Sequence, residues 1–344
     1  MRHIRTAAPD FDTAARKDGT AAPAPYQRPA GDAAAPVDIT VYDTPEVRGY
    51  EQTAEEAIFI LSQSATGRRL MQTAMAADYG IVFMDDVDKN LRGYVDTEQK
   101  LVFLARTEDP RRLALTLGHE LAHVSQAVNS DIKINVIRDH PLDALKKFMA
   151  IEADARAYEI KIAIELEFPA AANAVRFDGL LDLAAHKTDI AALPALADKI
   201  RPQLPEGIAH DKIMAACFRA FYYDINLRAT YEGKVMARIE ETSNAAMPDK
   251  TAYSRRIGDD ELMQRLDGHD VLYIDKNRPH TDIADPRLKA VSSYTAARLE
   301  DLRDLRTAAG FDASDWHAPI YRAEAAPAPK TPAPKPSAPK GPQG

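Results

Sequence analysis

Residues 117–124 read Leu-Gly-His-Glu-Leu-Ala-His-Val and contain the pattern H-E-x-x-H. If this stretch is helical, His119 and His123 lie one turn apart and project from the same face. Two imidazoles at that spacing can bind one divalent cation, and zinc accepts two imidazoles, a carboxylate and a water. Glu120 is rotated by about 100° from His119 on such a helix, so it is free to accept a proton from a metal-bound water. The stretch therefore predicts Zn²⁺ ligands at His119 and His123 and a catalytic base at Glu120.

The surrounding sequence favours a helix but leaves the role of its histidines open. Apolar residues recur at the spacing of an amphipathic helix, at Leu117, Leu121, Val124 and Val128. At about 100° per residue, His119 and His123 lie nearly opposite this apolar stripe. They could then belong to the solvent-exposed face of a surface helix, and the motif would be a coincidence. A third ligand elsewhere in the chain would distinguish the two interpretations.

The best candidate for that third ligand is Glu152. The longer motif H-E-x-x-H-x-x-G-x-x-H is absent, because Gln126 and Asn129 occupy its glycine and third-histidine positions. A carboxylate from a later helix is the remaining option, and Glu152 lies on the apolar face of such a helix. Burying a carboxylate without a partner costs several kcal/mol. Zinc is one possible partner, and an i, i+4 ion pair with Arg156 is the alternative.

Other polar residues compete for places around this site. Asp154 lies about 200° round the helix from Glu152, so we expect it to hydrogen-bond a ligand histidine or a neighbouring helix. Asp139 and His140 precede a proline and are interpreted mainly as the N-terminal turn of the same helix. Candidates for stabilising a developing oxyanion are on a predicted helix at 208–230, where aromatic residues are more often part of the core. These candidates are His210, Tyr222 and Tyr223.

Strand and helix patterns alternate around the motif and predict an α+β fold. Strand-like segments occur at 37–42 and 80–84, with a hairpin at 93–105 and a further short run at 271–274. Helical periodicity occurs at 52–77, 110–128, 141–168, 208–230 and 285–308. We therefore expect a small mixed sheet over an active-site helix and a second ligand helix, followed by a mostly helical C-terminal half.

Both ends have a composition typical of unstructured chain. Residues 1–36 are rich in Ala, Pro, Asp and Arg without apolar periodicity, and residues 323–344 repeat Ala, Pro and Lys. The second pattern favours an extended polyproline conformation, which could bind a protein partner. The predicted organisation is an unstructured segment at 1–36, a folded core at 37–170, a helical region at 171–322 and an unstructured tail at 323–344.

Composition excludes several classes of protein. One cysteine, Cys217, allows neither an intramolecular disulfide nor a zinc site of several thiolates. A formal net charge of −8 argues against nucleic-acid binding, which needs a basic face. The sequence has no apolar run of the roughly 18–20 residues that span a bilayer, and its beginning lacks the apolar stretch of a secretory signal. We therefore expect a cytoplasmic protein without nucleic-acid or membrane partners.

The H-E-L-x-H segment and the later E-A-D-A segment resemble zincin metallopeptidases of the gluzincin type. They are most similar to an uncharacterised bacterial family of predicted metallopeptidases, and more distantly to ImmA/IrrE-type zinc peptidases. The resemblance covers about 80–170 and implies His119, His123 and Glu152 as zinc ligands, with Glu120 as base. It also implies a substrate cleft lined by an edge strand from the 93–105 hairpin. The ImmA/IrrE phenylalanine is absent, since 156–158 read Arg-Ala-Tyr, so repressor cleavage is not implied.

Two functions of different classes follow from this pattern. The first is hydrolysis of peptide bonds in a peptide or protein substrate by a metal-activated water. The second is a catalytically silent module that keeps the zincin fold and acts in binding or regulation.

Overall fold

The structure is a computed structural model. The residues it describes are 2–5, 38–41, 50–84, 92–107, 109–130, 132–169, 176–187, 214, 217–219, 221–222, 225–247, 249–267 and 290–321. The predicted tail at 323–344 and the strand-like run at 271–274 lie outside these residues.

The strands form a mixed sheet in the order β1-β2-β3-β5-β4. They are β1 (Arg2–Arg5), β2 (Asp38–Val41), β3 (Gly80–Met84), β4 (Gly93–Asp96) and β5 (Leu101–Ala105). β3 pairs in parallel with β5, and β4 pairs antiparallel with β5 as the predicted hairpin. Ile81, Val102 and Leu104 point into the core and are fully buried. Among the described strands, β4 is therefore an edge strand that pairs on one side only, with β5.

β1 differs from the prediction for the N-terminal segment. It lies within 1–36, which has the composition of unstructured chain, yet it pairs antiparallel with β2, with Arg2 opposite Val41 and Arg5 opposite Asp38. Four residues are too few to show a strand periodicity, and the backbone of β2 supplies the hydrogen-bond partners. The remainder of 1–36 lies outside the described residues.

The predicted helix at 52–77 is two helices, α1 (Glu51–Gln63) and α2 (Ala65–Ala76). The break is at Ser64, which has an extended backbone and accepts a hydrogen bond from the amide of Gly67. Glu165 stabilises the break from a distant helix, because its carboxylate accepts hydrogen bonds from Ser64 Oγ, Thr66 N and Thr66 Oγ1. Ser64 is thus an N-cap whose effect depends on a tertiary partner.

The two helices that carry the predicted ligands are α3 (Pro110–Asn129) and α4 (Pro141–Glu167). Each begins with a proline at its first position, after Asp109 and His140 as N-caps, so both predicted starts are confirmed. The helices cross closely at Gly118, where a Cβ atom would lie 2.6 Å from Ile162 Cδ1. α3 therefore packs against α4 on a face beside its Leu117–Leu121 stripe.

The second half of the described chain is helical and packs against α4. Its helices are α5 (Leu180–Lys187), α6 (Ile225–Ala246), α7 (Asp259–Asp267) and α8 (Ser293–Ala308). α4 contributes to two apolar clusters, one with the sheet, α1, α2 and α3, and one with α6, α8 and Trp316. The fold is α+β, as the sequence predicts. None of the described helices is long and apolar enough to cross a membrane.

Candidate metal centre

α3 and α4 bring His119, His123 and Glu152 together. His119 Nε2 lies 3.7 Å from one carboxylate oxygen of Glu152, and His123 Nε2 lies 3.7 Å from the other. The two imidazole rings meet edge to face, with centroids 4.8 Å apart. One donor atom from each residue falls within 4.8 Å of the other two, and the described residues contain no other such group of His, Cys, Asp and Glu.

The burial of this cluster excludes the interpretation of a solvent-exposed helix face. His119 and Glu120 are each 5 % exposed, and the side chains of His123 and Glu152 are 15 % and 13 % exposed. α4 covers the face of α3 that lies opposite its apolar stripe. The alternative ion pair is also absent, because Arg156 pairs with Glu159 at 2.8 Å while Glu152 faces the histidines.

Electrostatics favour the protonation states that a metal requires. Burial, followed by the positive charge of Arg156, lowers the pKa of His119 to about 4. Burial alone would raise the pKa of Glu152, but His123, His119 and Arg156 outweigh it and lower that pKa to about 2. At neutral pH, His119 is therefore an uncharged imidazole with a lone pair, and Glu152 is an ionised carboxylate.

The donor set fits a small divalent cation. Zinc binds imidazole nitrogen and carboxylate oxygen at about 2.0–2.2 Å, so tetrahedral donors lie about 3.4 Å apart. Each imidazole Nε2 has a Glu152 oxygen 3.7 Å away, close to that value, and the two distances go to different oxygens of the carboxylate. Two neutral nitrogens and one carboxylate leave a fourth position for water, the arrangement of catalytic zinc sites.

The outer nitrogen of one ligand imidazole, that of His123, has an acceptor within hydrogen-bond distance. His123 Nδ1 lies 2.9 Å from Gln126 Oε1, and the Gln126 amide in turn donates to Asp154 Oδ2 at 2.6 Å. His119 Nδ1 lies 3.7 Å from Glu159 Oε2. The predicted hydrogen bond between Asp154 and a neighbouring helix is confirmed, with the carboxylate accepting from Gln126 on α3. No sequence pattern indicates this role of Gln126, which occupies the glycine position of the longer H-E-x-x-H-x-x-G-x-x-H motif.

The edge strand β4 passes directly over Glu120. A Cβ atom built at Gly93 would lie 2.8 Å from Glu120 Oε1 and 2.9 Å from its Cγ, so only glycine leaves room for this carboxylate. Gly93 has no positive backbone φ, and space is therefore what it provides. The predicted base and the predicted substrate-binding edge are adjacent.

The C-terminal half contributes Tyr231, which no sequence motif marks. It is half-buried on α6, and its phenol interacts with the side chains of Glu152 and Arg156. Burial and the negative charge of Glu152 raise the pKa of this phenol to about 12. The sequence carries a weak signal for it, because the oxyanion candidates Tyr222 and Tyr223 are also tyrosines on a predicted helix of the second half.

The other candidates occupy different places. Tyr222 is in the apolar core against Phe218 and Phe221, and burial raises its pKa. His210 and Tyr223 lie outside the described residues. His140 accepts a hydrogen bond from the Leu142 amide, so its predicted place in the turn that begins α4 is confirmed. Asp139 precedes that turn, fully buried, and pairs with Lys147 at 2.9 Å and with Arg255.

Comparison with protein-family models gives a match. A family model described as "Putative metallopeptidase family (DUF6782)" matches residues 22–257, which is more than half of the chain. The match includes α3, α4 and the helix that carries Tyr231. No curated protein and no solved structure matches the chain.

Proposed function

The chain belongs to this family of metallopeptidases, and on that basis we propose that it is a zinc-dependent peptidase. His119, His123 and Glu152 would hold the zinc ion, and Glu120 would act as general base. One observation carries the proposal. Donor atoms of the three side chains lie within 4.8 Å of one another, and Glu120, beside them on α3, lies next to the edge strand β4.

The chemistry divides between the metal and the protein. A bound zinc ion would polarise the scissile carbonyl and lower the pKa of a bound water. Glu120 follows His119 directly on α3 and is 5 % exposed, so its carboxylate is held in a nearly water-free setting beside the ligands. There it can accept a proton from the attacking water and return it to the leaving amine. Each such transfer contributes about 10²–10⁴-fold to the rate.

An extended peptide is the substrate that this geometry accommodates. β4 has one side paired with β5, and the backbone groups of its other side can pair with an added strand. Gly93 at the start of β4 contacts the Glu120 side chain. A peptide lying along β4 would therefore pass its backbone close to the base and the metal ligands. We propose an unfolded segment of a peptide or protein as the substrate class.

Glu120→Gln tests this function, because it keeps the shape of the side chain and removes the base. Zinc content is measured by elemental analysis, and hydrolysis with a quenched-fluorescent peptide library. We expect one zinc per chain in the wild type and in Glu120→Gln, with hydrolysis reduced by at least about 10²-fold in the variant. Glu55→Gln, an exposed substitution on α1, is the matched control and should keep full activity.

Two results would contradict the proposal in different ways. A wild-type chain without zinc, or unchanged zinc content in His119→Ala, would contradict the proposed zinc site. Zinc in the wild type without cleavage of any library peptide would remove the peptidase activity and favour the catalytically silent module.

A further inference from the structure

Gln126 joins the ligand His123 on α3 to a buried carboxylate on α4. It is 2 % exposed, and its Oε1 lies 2.9 Å from His123 Nδ1. Its amide nitrogen donates two hydrogen bonds, to Asp154 Oδ2 at 2.6 Å and to the backbone oxygen of Ile151 at 3.0 Å. Every polar atom of this amide therefore has a specified neighbour.

These contacts fix the orientation of the amide. A glutamine side chain has two N–H donors on nitrogen and none on oxygen. If the amide were flipped, its oxygen would face two other oxygens, Asp154 Oδ2 and the Ile151 carbonyl, and both contacts would be repulsive. Gln126 therefore presents its oxygen to His123, and that oxygen can only accept a hydrogen bond.

The orientation of Gln126 in turn decides where His123 carries its proton. A neutral imidazole has one N–H and one acceptor nitrogen, and the hydrogen bond made by one nitrogen sets the role of the other. Because Gln126 Oε1 must accept, His123 Nδ1 must donate. The lone pair then lies on Nε2, the atom that faces Glu152 at 3.7 Å.

We propose that Gln126, oriented by Asp154, is a positioning residue that fixes His123 in the Nδ1–H tautomer before any metal binds. This inference rests on the metal site of the proposed function and deepens it. We call the hydrogen-bonded series Asp154–Gln126–His123 the relay. Among the two ligand histidines, it serves His123 alone. The corresponding nitrogen of His119 lies 3.7 Å from Glu159, beyond hydrogen-bond distance.

The relay increases the affinity for metal by removing a competing state. Free histidine in water favours the opposite tautomer, in which Nε2 carries the proton and cannot bind a cation. A site that is competent for only part of the time binds with an affinity reduced by that fraction. Loss of an outer partner of a ligating histidine reduces metal affinity by about 10–100-fold, and we expect that range for loss of Gln126.

The first experiment reads the tautomer directly in the metal-free protein. Long-range ¹H–¹⁵N correlation spectra of histidine-labelled, chelator-treated wild-type chain distinguish a protonated Nδ1 from a protonated Nε2. We expect His123 to carry its proton on Nδ1 in the wild type. A neutral His123 that carries its proton on Nε2 in the folded wild-type chain would overturn the proposal, whatever the variants do.

The second experiment measures zinc affinity by competition with a chromogenic chelator. Gln126→Leu removes the amide at similar volume, and we expect it to shift the His123 proton towards Nε2 and to weaken zinc binding about 10–100-fold. Asn129→Leu, an exposed amide one turn further on α3, is the matched control and should bind zinc as the wild type does. Wild-type affinity in folded Gln126→Leu would contradict the relay.

Asp154→Asn provides a second variant that keeps all side chains near Gln126 polar. Its new amide can donate as well as accept, so only the Ile151 carbonyl still opposes a flipped Gln126 amide. We therefore expect a mixture of His123 tautomers and weaker zinc binding. An unchanged tautomer in this variant would show that Asp154 does not orient the relay. None of these measurements uses hydrolysis. A wild-type chain with the expected tautomer and affinities but no hydrolytic activity would therefore contradict the peptidase proposal and support the relay.

Discussion

Gly93→Ala should reduce catalysis without reducing stability. The added Cβ atom would lie 2.8 Å from Glu120 Oε1, 2.9 Å from Cγ and 3.0 Å from Cδ. Carbon atoms pack at about 3.5–4.0 Å, so the Glu120 side chain must move by about 0.5–1 Å. The atoms that must move are Cγ, Cδ and Oε1 of one flexible side chain, and no backbone atom is among them.

The expected magnitudes differ between the two properties. Gly93 has no positive φ, so alanine fits its backbone, and replacing glycine there should leave the free energy of unfolding unchanged or raise it by about 0.4–1 kcal/mol. A misplacement of about 1 Å at a catalytic group costs about 10²-fold in rate. We therefore expect kcat to fall by about 10²-fold, with KM and zinc affinity close to the wild type.

Three measurements on one preparation check this prediction. They are steady-state kinetics on a cleaved library peptide, chelator competition for zinc and thermal unfolding. Gly233→Ala on α6 is the control, because its Cβ would have nothing within 4 Å. A Gly93→Ala variant with wild-type kcat would refute the placement of Glu120 beneath β4. A variant that loses its zinc would show that Gly93 acts on the ligands and not on the base.

Three further predictions concern the elements that hold the site. In Gly118→Ala, the clash with Ile162 should outweigh the gain in helix propensity, so urea unfolding should show a free energy of unfolding lower by about 1–2 kcal/mol. Adding Ile162→Val should restore most of this loss. Additive losses in the double variant would contradict the contact. Glu165→Ala removes the acceptor of three hydrogen bonds at the start of α2, so it should lower stability by about 3 kcal/mol in urea unfolding; an unchanged midpoint would contradict that role. The pKa of His119 falls from 6.5 to about 4 on folding, so the unfolded chain binds more protons between those values, and the stability of the metal-free protein should fall by about 3 kcal/mol as pH drops through this window. Urea unfolding at several pH values measures how the free energy of unfolding depends on pH. This dependence should be weaker in His119→Gln, and a dependence equal to that of the wild type would contradict His119 as its source.

Local patterns in the sequence predicted the central elements correctly. The spacing in H-E-x-x-H, the turn residues of the 93–105 hairpin and the prolines that begin α3 and α4 each act over a few residues. Their physical causes are contained in the segment itself. Glu152 could be identified because a carboxylate on an apolar helix face needs a partner.

The remaining features depend on contacts between distant segments. The break at Ser64 is stabilised by Glu165, 101 residues later, and β1 is a strand because β2 pairs with it. The orientation of Gln126 depends on Asp154, and Tyr231 reaches Glu152 from the second half of the chain. No single segment shows such partners, so periodicity could not reveal them.

Anomalous diffraction at the zinc absorption edge tests the metal centre most directly. Crystals of the full chain, purified without chelator and supplied with zinc, should show one strong peak between α3 and α4. We expect that peak about 2.0–2.2 Å from His119 Nε2, His123 Nε2 and one carboxylate oxygen of Glu152. Zinc-saturated crystals with no peak among these three side chains, or with the ion bound elsewhere, would contradict the account.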